Sequence, residues 1–204
     1  ISKILNEKGC TFIVYSGIRK NPTTEEVSKG VQDMKVFKPD TVIAVGGGSP
    51  IDAAKAMVLF YENPEWDFEK AINEPLPETR KSVRFIAVPT TSGTGTEVTK
   101  AAVLTYCEKN IKIGLKSNAF IPDVAILDAG FTMSMPKNVV AETGMDAMTH
   151  AVECFINTGL DDFAACLASG AVEGLFRYLP LSYQKGDIES REKVHNYQCM
   201  AASA

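Results

Sequence analysis

The sequence predicts an α/β fold: a mainly parallel sheet followed by an all-helical part that stops early. Three observations carry that reading. Short apolar runs alternate with amphipathic helical stretches through the first half, the signature of buried parallel strands joined by helices. Two of the runs end in turns of glycine or of serine and threonine. After Pro136 nearly everything reads as helix. The expected division is therefore 1–133 for the α/β domain and 134–204 for the start of a helical domain.

The elements follow in order. Ile1, Ile4 and Leu5 fall on one face of an opening helix. "CTFIVYSGI" (10–18) is an apolar run ending near a glycine and predicts a buried strand. In "NPTTEEVSKGVQDMKVF", Thr23 and Glu26 form a Thr-x-x-Glu capping box, and Val27, Val31, Met34 and Phe37 share a face. "KPDTVIAVGGGS" predicts a second buried strand and a glycine turn. "PIDAAKAMVLFY" then predicts a helix with Ser49 as N-cap, Pro50 in the first turn and Asp52 as a helix-start stabiliser. "VRFIAVPTTSGTGTEV" is a third strand with a small-residue loop, and "KIGLKSNAFIPDVAILDAGF" holds one or two more. Helices follow in "PKNVVAETGMDAMTHAVECFINTG", "DDFAACLASGAVEGLFRYLPLSYQKG" and "IESREKVHNYQCMAASA".

Bulk properties exclude several classes. A net charge of -4 gives no attraction to nucleic acid or an anionic membrane surface. No apolar run is long enough to span a bilayer, and the N-terminus lacks signal-peptide regions. Five scattered cysteines without a CxxC point to reduced thiols in a cytoplasm. The chain opens without methionine inside a helical pattern and closes inside another, which is expected of a fragment of a longer protein.

Three groups of residues carry chemistry. Gly46, Gly47, Gly48 and Ser49 join a strand to a helix. Glycines let a backbone approach a ligand closely, and a helix N-terminus favours an anion such as a pyrophosphate. A plain tight turn is the alternative, and the pattern is neither GxGxxG nor a Walker loop. "PTTSGTGTEVT" offers Thr90, Thr91, Ser92, Thr94 and Thr96, hydroxyls suited to phosphate or ribose oxygens, or simply to water. Both loops follow strands, where open parallel sheets bind ligands. Asp146 and His150, four apart in a helical run, present a carboxylate and an imidazole on one face. A surface hydrogen bond is the alternative. Glu153 shares that face, as a neighbour of the pair or as a solvated side chain.

"GGGSPIDAAK", "PTTSGTGTEVT", "PDVAILDAGF" and "GMDAMTHAVE", in this order and spacing, resemble the iron-containing (group III, metal-dependent) alcohol dehydrogenase family. "NPT" at 21–23 and "REKVHN" at 191–196 fit the same pattern, so the resemblance runs from about residue 10 to the end. It implies a Rossmann-like α/β domain, a helical domain, and an NAD(P)-dependent oxidoreductase interconverting a small primary alcohol or diol and its aldehyde.

The resemblance also implies roles. Gly46, Gly47, Gly48 and Ser49 would hold the pyrophosphate. Thr90, Thr91 and Thr94 would contact phosphate, ribose or nicotinamide. Asn21 would line the adenosine side and Lys112 would reach a ribose hydroxyl. Asp146 and His150 would be two of four ligands to Fe2+, or Zn2+, the other two histidines lying beyond Ala204. His195 matches neither and is read as structural. The first strand, which helps choose between NAD and NADP, is missing, and the expected assembly is a homodimer. Alternatives are a zinc glycerol-dehydrogenase-like enzyme, with a dehydroquinate synthase further off, and a nucleotide-binding fragment without catalytic activity.

Overall fold

A computed structural model describes residues 1–204. Helix α1 (Ser2–Glu7) buries none of its residues. Helix α2 (Thr24–Phe37) starts with the expected capping box: Glu26 N donates to Thr23 Oγ1 at 3.2 Å and Thr23 N to Glu26 Oε2 at 3.0 Å. Between them, residues 10–18 are not the expected strand. Their backbone joins no ladder, and Ile13 and Val14 stay exposed. An apolar run becomes a strand only where a neighbour supplies backbone partners. Here side chains hold the segment instead: the Tyr15 hydroxyl donates to the Glu26 carbonyl and Arg19 Nε to the Glu26 carboxylate, each at 2.7 Å.

The parallel sheet has three strands, β1 (Thr41–Gly46), β2 (Arg84–Pro89) and β5 (Val124–Ala125), in the order β1-β2-β5. Its β1–β2 register runs from Thr41↔Arg84 to Gly46↔Pro89. Helix α3 (Gly48–Glu62) follows β1 and α4 (Phe68–Asn73) precedes β2. A second sheet departs from the expectation of one mainly parallel sheet. Strands β3 (Ala101–Tyr106) and β4 (Ile111–Lys116) form an antiparallel hairpin, of which only β4 lies among the expected strands. Burial alternates along it: Ala102, Leu104 and Tyr106 face inward with Ile113 and Leu115, while intervening residues are more exposed.

Val27, Ile51, Phe85, Leu104 and Phe120 lie in one apolar core shared by α2, α3, the parallel sheet and the hairpin. Helices α5 (Lys137–Cys154), α6 (Asp162–Gln184) and α7 (Ile188–Ser203) have their own smaller clusters, one around Ala147, Leu175 and Val194 and one of Ala151, Ala171 and Ala201. Glycines set the helix spacing. A Cβ on Gly30 would overlap Met57, one on Gly144 would overlap Leu179, and one on Gly174 would overlap Tyr197. Pro180 lies inside α6 without ending it.

Helix α3 carries a lysine within its buried run. Lys55 is 1% exposed, and its ammonium donates to Thr96 Oγ1 at 2.8 Å, the Thr99 carbonyl at 2.9 Å and the Ala101 carbonyl at 2.8 Å. Three acceptors match the three N–H bonds of an ammonium. Burial pushes the Lys55 amine down to about 8, against the pull of Asp52 and Glu97, so it stays charged at pH 7. Lys55→Met would leave the half-buried Thr99 and Ala101 carbonyls without this donor and Asp52 without its cation. The expected loss is about 3 kcal/mol of stability, measured as a lower midpoint in urea.

Candidate nucleotide and metal sites

The β1–β2 register places the two loops side by side. Gly46 ends β1 opposite Pro89, and Thr90 N donates to the Gly46 carbonyl at 2.8 Å. Gly46 has φ of 154°, where an added Cβ would come within 2.6 Å of Pro50 Cγ. A Cβ on Gly47 would lie 3.1 Å from Thr91 Oγ1, and one on Gly48 3.1 Å from Thr94 Cγ2. Glycine at both positions therefore lets the hydroxyl loop close against the turn.

Ser49 is not the N-cap. Gly47 is, and no side chain caps α3. Helices α2, α4, α6 and α7 are capped by Thr23, Asp67, Asp161 and Asp187, whereas α1 and α5, like α3, have no side-chain cap; only at α3 does a glycine turn precede the bare end. At α3 the first-turn N–H groups lack such an acceptor and the helix dipole is not complemented. That is the donor set an anion requires, so the turn fits a pyrophosphate. Asp52 is not a helix-start stabiliser either. Its carboxylate accepts the Thr96 hydroxyl at 2.5 Å and Val103 N at 3.0 Å, tying α3 to the loop and to β3. Burial raises the Asp52 pKa, opposed by those two bonds and by Lys55.

The five hydroxyls of the loop divide. Thr90 and Thr91 are half-buried and Thr94 is exposed. Ser92 and Thr96 are buried and have partners inside the protein: the Ser92 hydroxyl lies 2.8 Å from His195 Nδ1, and Thr96 sits between Lys55 and Asp52. His195 is 1% exposed, and burial pushes its pKa down to about 4, leaving it neutral at pH 7. From α7 it reaches the loop through Ser92, while its Nε2 is buried without a partner.

Asn21 and Lys112 meet through the hairpin. Asn21 adopts φ of 58°, a left-handed conformation asparagine tolerates. The next carbonyl, of Pro22, accepts from Thr105 N at 2.8 Å, and Thr105 pairs with Lys112. Both residues are exposed. Asp52 holds the same hairpin at Val103, so both parts of the candidate nucleotide site are tied to α3. A groove of about 310 Å³, lined by Ala71, Ile72, Leu76, Ile113 and Lys116 among others, shares no residue with either loop.

Asp146 and His150 share a face of α5. His150 Nε2 lies 3.6 Å from Asp146 Oδ2, an ion-pair rather than a hydrogen-bond distance, and both side chains are half-exposed. The Asp146 carboxylate raises the His150 pKa, with a smaller push from exposed Glu153 and burial opposing. No group of three or more His, Cys, Asp and Glu side chains forms a metal cluster. The pair fits one edge of a coordination shell of nitrogen and oxygen donors, not a whole one.

A model of the iron-containing alcohol dehydrogenase matches residues 1–129, and one of the C-terminal part of the Fe-containing family matches 140–204. The chain belongs to the iron-containing alcohol dehydrogenase family. Within it, the chain is 45% identical over 202 residues to an NADPH-dependent butanol dehydrogenase of Clostridium saccharobutylicum, covering 98% of this chain and 52% of that protein. It is 41% identical over 192 residues to the 1-propanol dehydrogenase PduQ of Citrobacter freundii, covering 94% of this chain and 48% of that one. Among solved structures, the iron-containing alcohol dehydrogenase from Thermococcus thioreducens superposes with a TM-score of 0.92 at 34% identity, over 98% of this chain and 54% of that one. A sulfoacetaldehyde reductase from Bifidobacterium kashiwanohense, in complex with NAD+, superposes at 0.90 with 31% identity, over 98% and 54%. The chain thus spans about half the length of these members of the family.

Gly47→Val tests the turn. Its side chain would press on Thr91 and crowd the α3 N-terminus. Titration with NADH and with NADPH should show affinity reduced at least tenfold, about 1.4 kcal/mol, for whichever binds, with the fold retained by circular dichroism.

Proposed function

We propose that this chain supplies the nucleotide-binding part and the first metal ligands of an NAD(P)-dependent, metal-dependent oxidoreductase that interconverts a small primary alcohol or diol and its aldehyde. The uncapped N-terminus of α3, covered by a threonine loop, is the observation that carries the reading. Gly46, Gly47, Gly48 and Ser49 would hold the pyrophosphate, and Thr90, Thr91 and Thr94 would contact phosphate, ribose or nicotinamide. Asn21 and Lys112 would receive the adenosine side. The nicotinamide would supply or accept hydride, and Fe2+ or Zn2+ would act as a Lewis acid toward the substrate oxygen.

The chain's own part is positional. Asp146 and His150 would hold the ion on the exposed face of α5. Gly93 of the threonine loop packs so closely on Thr143 of the same helix that a Cβ there would overlap its carbonyl. The loop and the metal-ligand helix are therefore in direct contact. Substrate class follows the named activities of the butanol and propanol relatives. The division into domains at 133/134, a homodimer and a cytoplasmic setting complete the proposal. Free cysteines at all five positions suit a reducing compartment, and no helix is long and apolar enough to cross a membrane.

Two ligands hold a divalent ion weakly, because each absent ligand is a bond lost in competition with water. The 204-residue chain should retain well under one Fe2+ or Zn2+ per chain after dialysis, while a longer form retains about one. In the longer form, His150→Ala should abolish butanol oxidation and leave NADPH affinity within about threefold of wild type, under 1 kcal/mol. Metal analysis, turnover and titration read these outcomes. Near-stoichiometric metal in the short chain, or turnover surviving His150→Ala, would remove the assigned ligands.

A further inference from the structure

The loop 90–96 is gripped from the helical side by one amide. Gln198 of α7 is 0% exposed. Its Oε1 accepts Gly95 N–H at 3.1 Å, and its Nε2 donates to Glu97 Oε1 at 2.5 Å. Only this orientation of the amide works, since a backbone N–H needs an acceptor and a carboxylate needs a donor. His195, one turn earlier on α7, holds Ser92. Gly95 adopts φ of 58°, and a Cβ there would overlap Ala202, so α7 lies directly against the backbone at this residue. That left-handed residue is where the loop reverses. Thr94 before it is exposed and lies against Gly48, while Thr96 after it is buried between Lys55 and Asp52.

We infer that Gln198 is a positioning residue for the nucleotide loop: by fixing the Gly95 amide and the Glu97 carboxylate, it sets Thr94 over the α3 N-terminus. The inference rests on the nucleotide reading of that turn. It assigns α7, which belongs to the helical part, a direct hold on the loop that follows β2. A residue that only filled space would not need both ends of its amide.

Three variants test it: Gln198→Met, Gln198→Glu, and Glu97→Gln combined with Gln198→Glu. Methionine keeps the volume and loses both bonds. Glutamate alone keeps the acceptor for Gly95 but sets two carboxylates against each other. The double variant restores both bonds with the polarity exchanged, since the new carboxylate at position 198 accepts from Gly95 N–H and from the new amide at position 97. Hydrogen exchange over residues 90–97 reads the loop without any ligand, and NADPH titration reads its use. Both single variants should speed loop exchange and weaken NADPH about tenfold, and the double variant should return both to within about threefold of wild type. Unchanged exchange or unchanged affinity in Gln198→Met overturns the inference, as does a double variant no better than Gln198→Glu. If Gln198→Met does not fold, the Gln198→Glu and double-variant comparison still decides. If the wild-type chain binds neither NADH nor NADPH, the nucleotide reading fails, and exchange alone decides whether Gln198 fixes the loop.

Discussion

One loop passes between three helices, and it does so only because two of its residues have no side chain. Gly93 lies against the backbone of Thr143 on α5, and Gly95 against Ala202 on α7. On its third side, Thr96 reaches Asp52 and Lys55 on α3. The loop follows β2, whose register with β1 puts it beside the glycine turn. Sheet, α3 and helical part are thus all referred to one short stretch of backbone. Moving any of them by the width of a methyl group would break contacts with the others, because close-packed interiors do not take up volume locally.

The charges beneath the loop support the same geometry. The pull of Lys55 on half-buried Asp52 and buried Glu97 partly offsets the rise that burial imposes on both. Burying such groups costs several kcal/mol each unless hydrogen bonds replace water. Here the ammonium has three acceptors, Asp52 has two donors and Glu97 has the Gln198 amide. A network of this kind contributes less to net stability than an apolar core would. It fixes directions, which apolar contacts do not.

The two loops, the helix carrying Asp146 and His150, and the capping box were legible because their signals are local. Glycine runs, Thr-x-x-Glu and i,i+4 spacing each act within a few residues. What escaped depends on partners far along the chain. Residues 10–18 are as apolar as a strand but find no ladder. Residues 101–106 are a strand because residues 111–116 pair with them. Ser49 looked like a cap because serine usually is one, yet the helix starts two residues earlier, with Gly47 as its N-cap. Lys55 carried a faint signal, the one cation in a helix whose residues 51–60 are otherwise apolar apart from Asp52. Gln198 carried none, since its partners lie more than a hundred residues away.

The glycines between helices have a consequence for how this protein can change over generations. Gly144 receives Leu179 and Gly174 receives Tyr197. Each is half of a lock whose other half is a large side chain on the facing helix. Drift at one half alone is closed off, because a methyl gained at the glycine meets an occupied space and a methyl lost from its partner leaves a void. Only coordinated exchange, small for large on both helices, keeps the distance between their axes. These pairs should therefore vary together or not at all, while the exposed faces of the same helices drift freely.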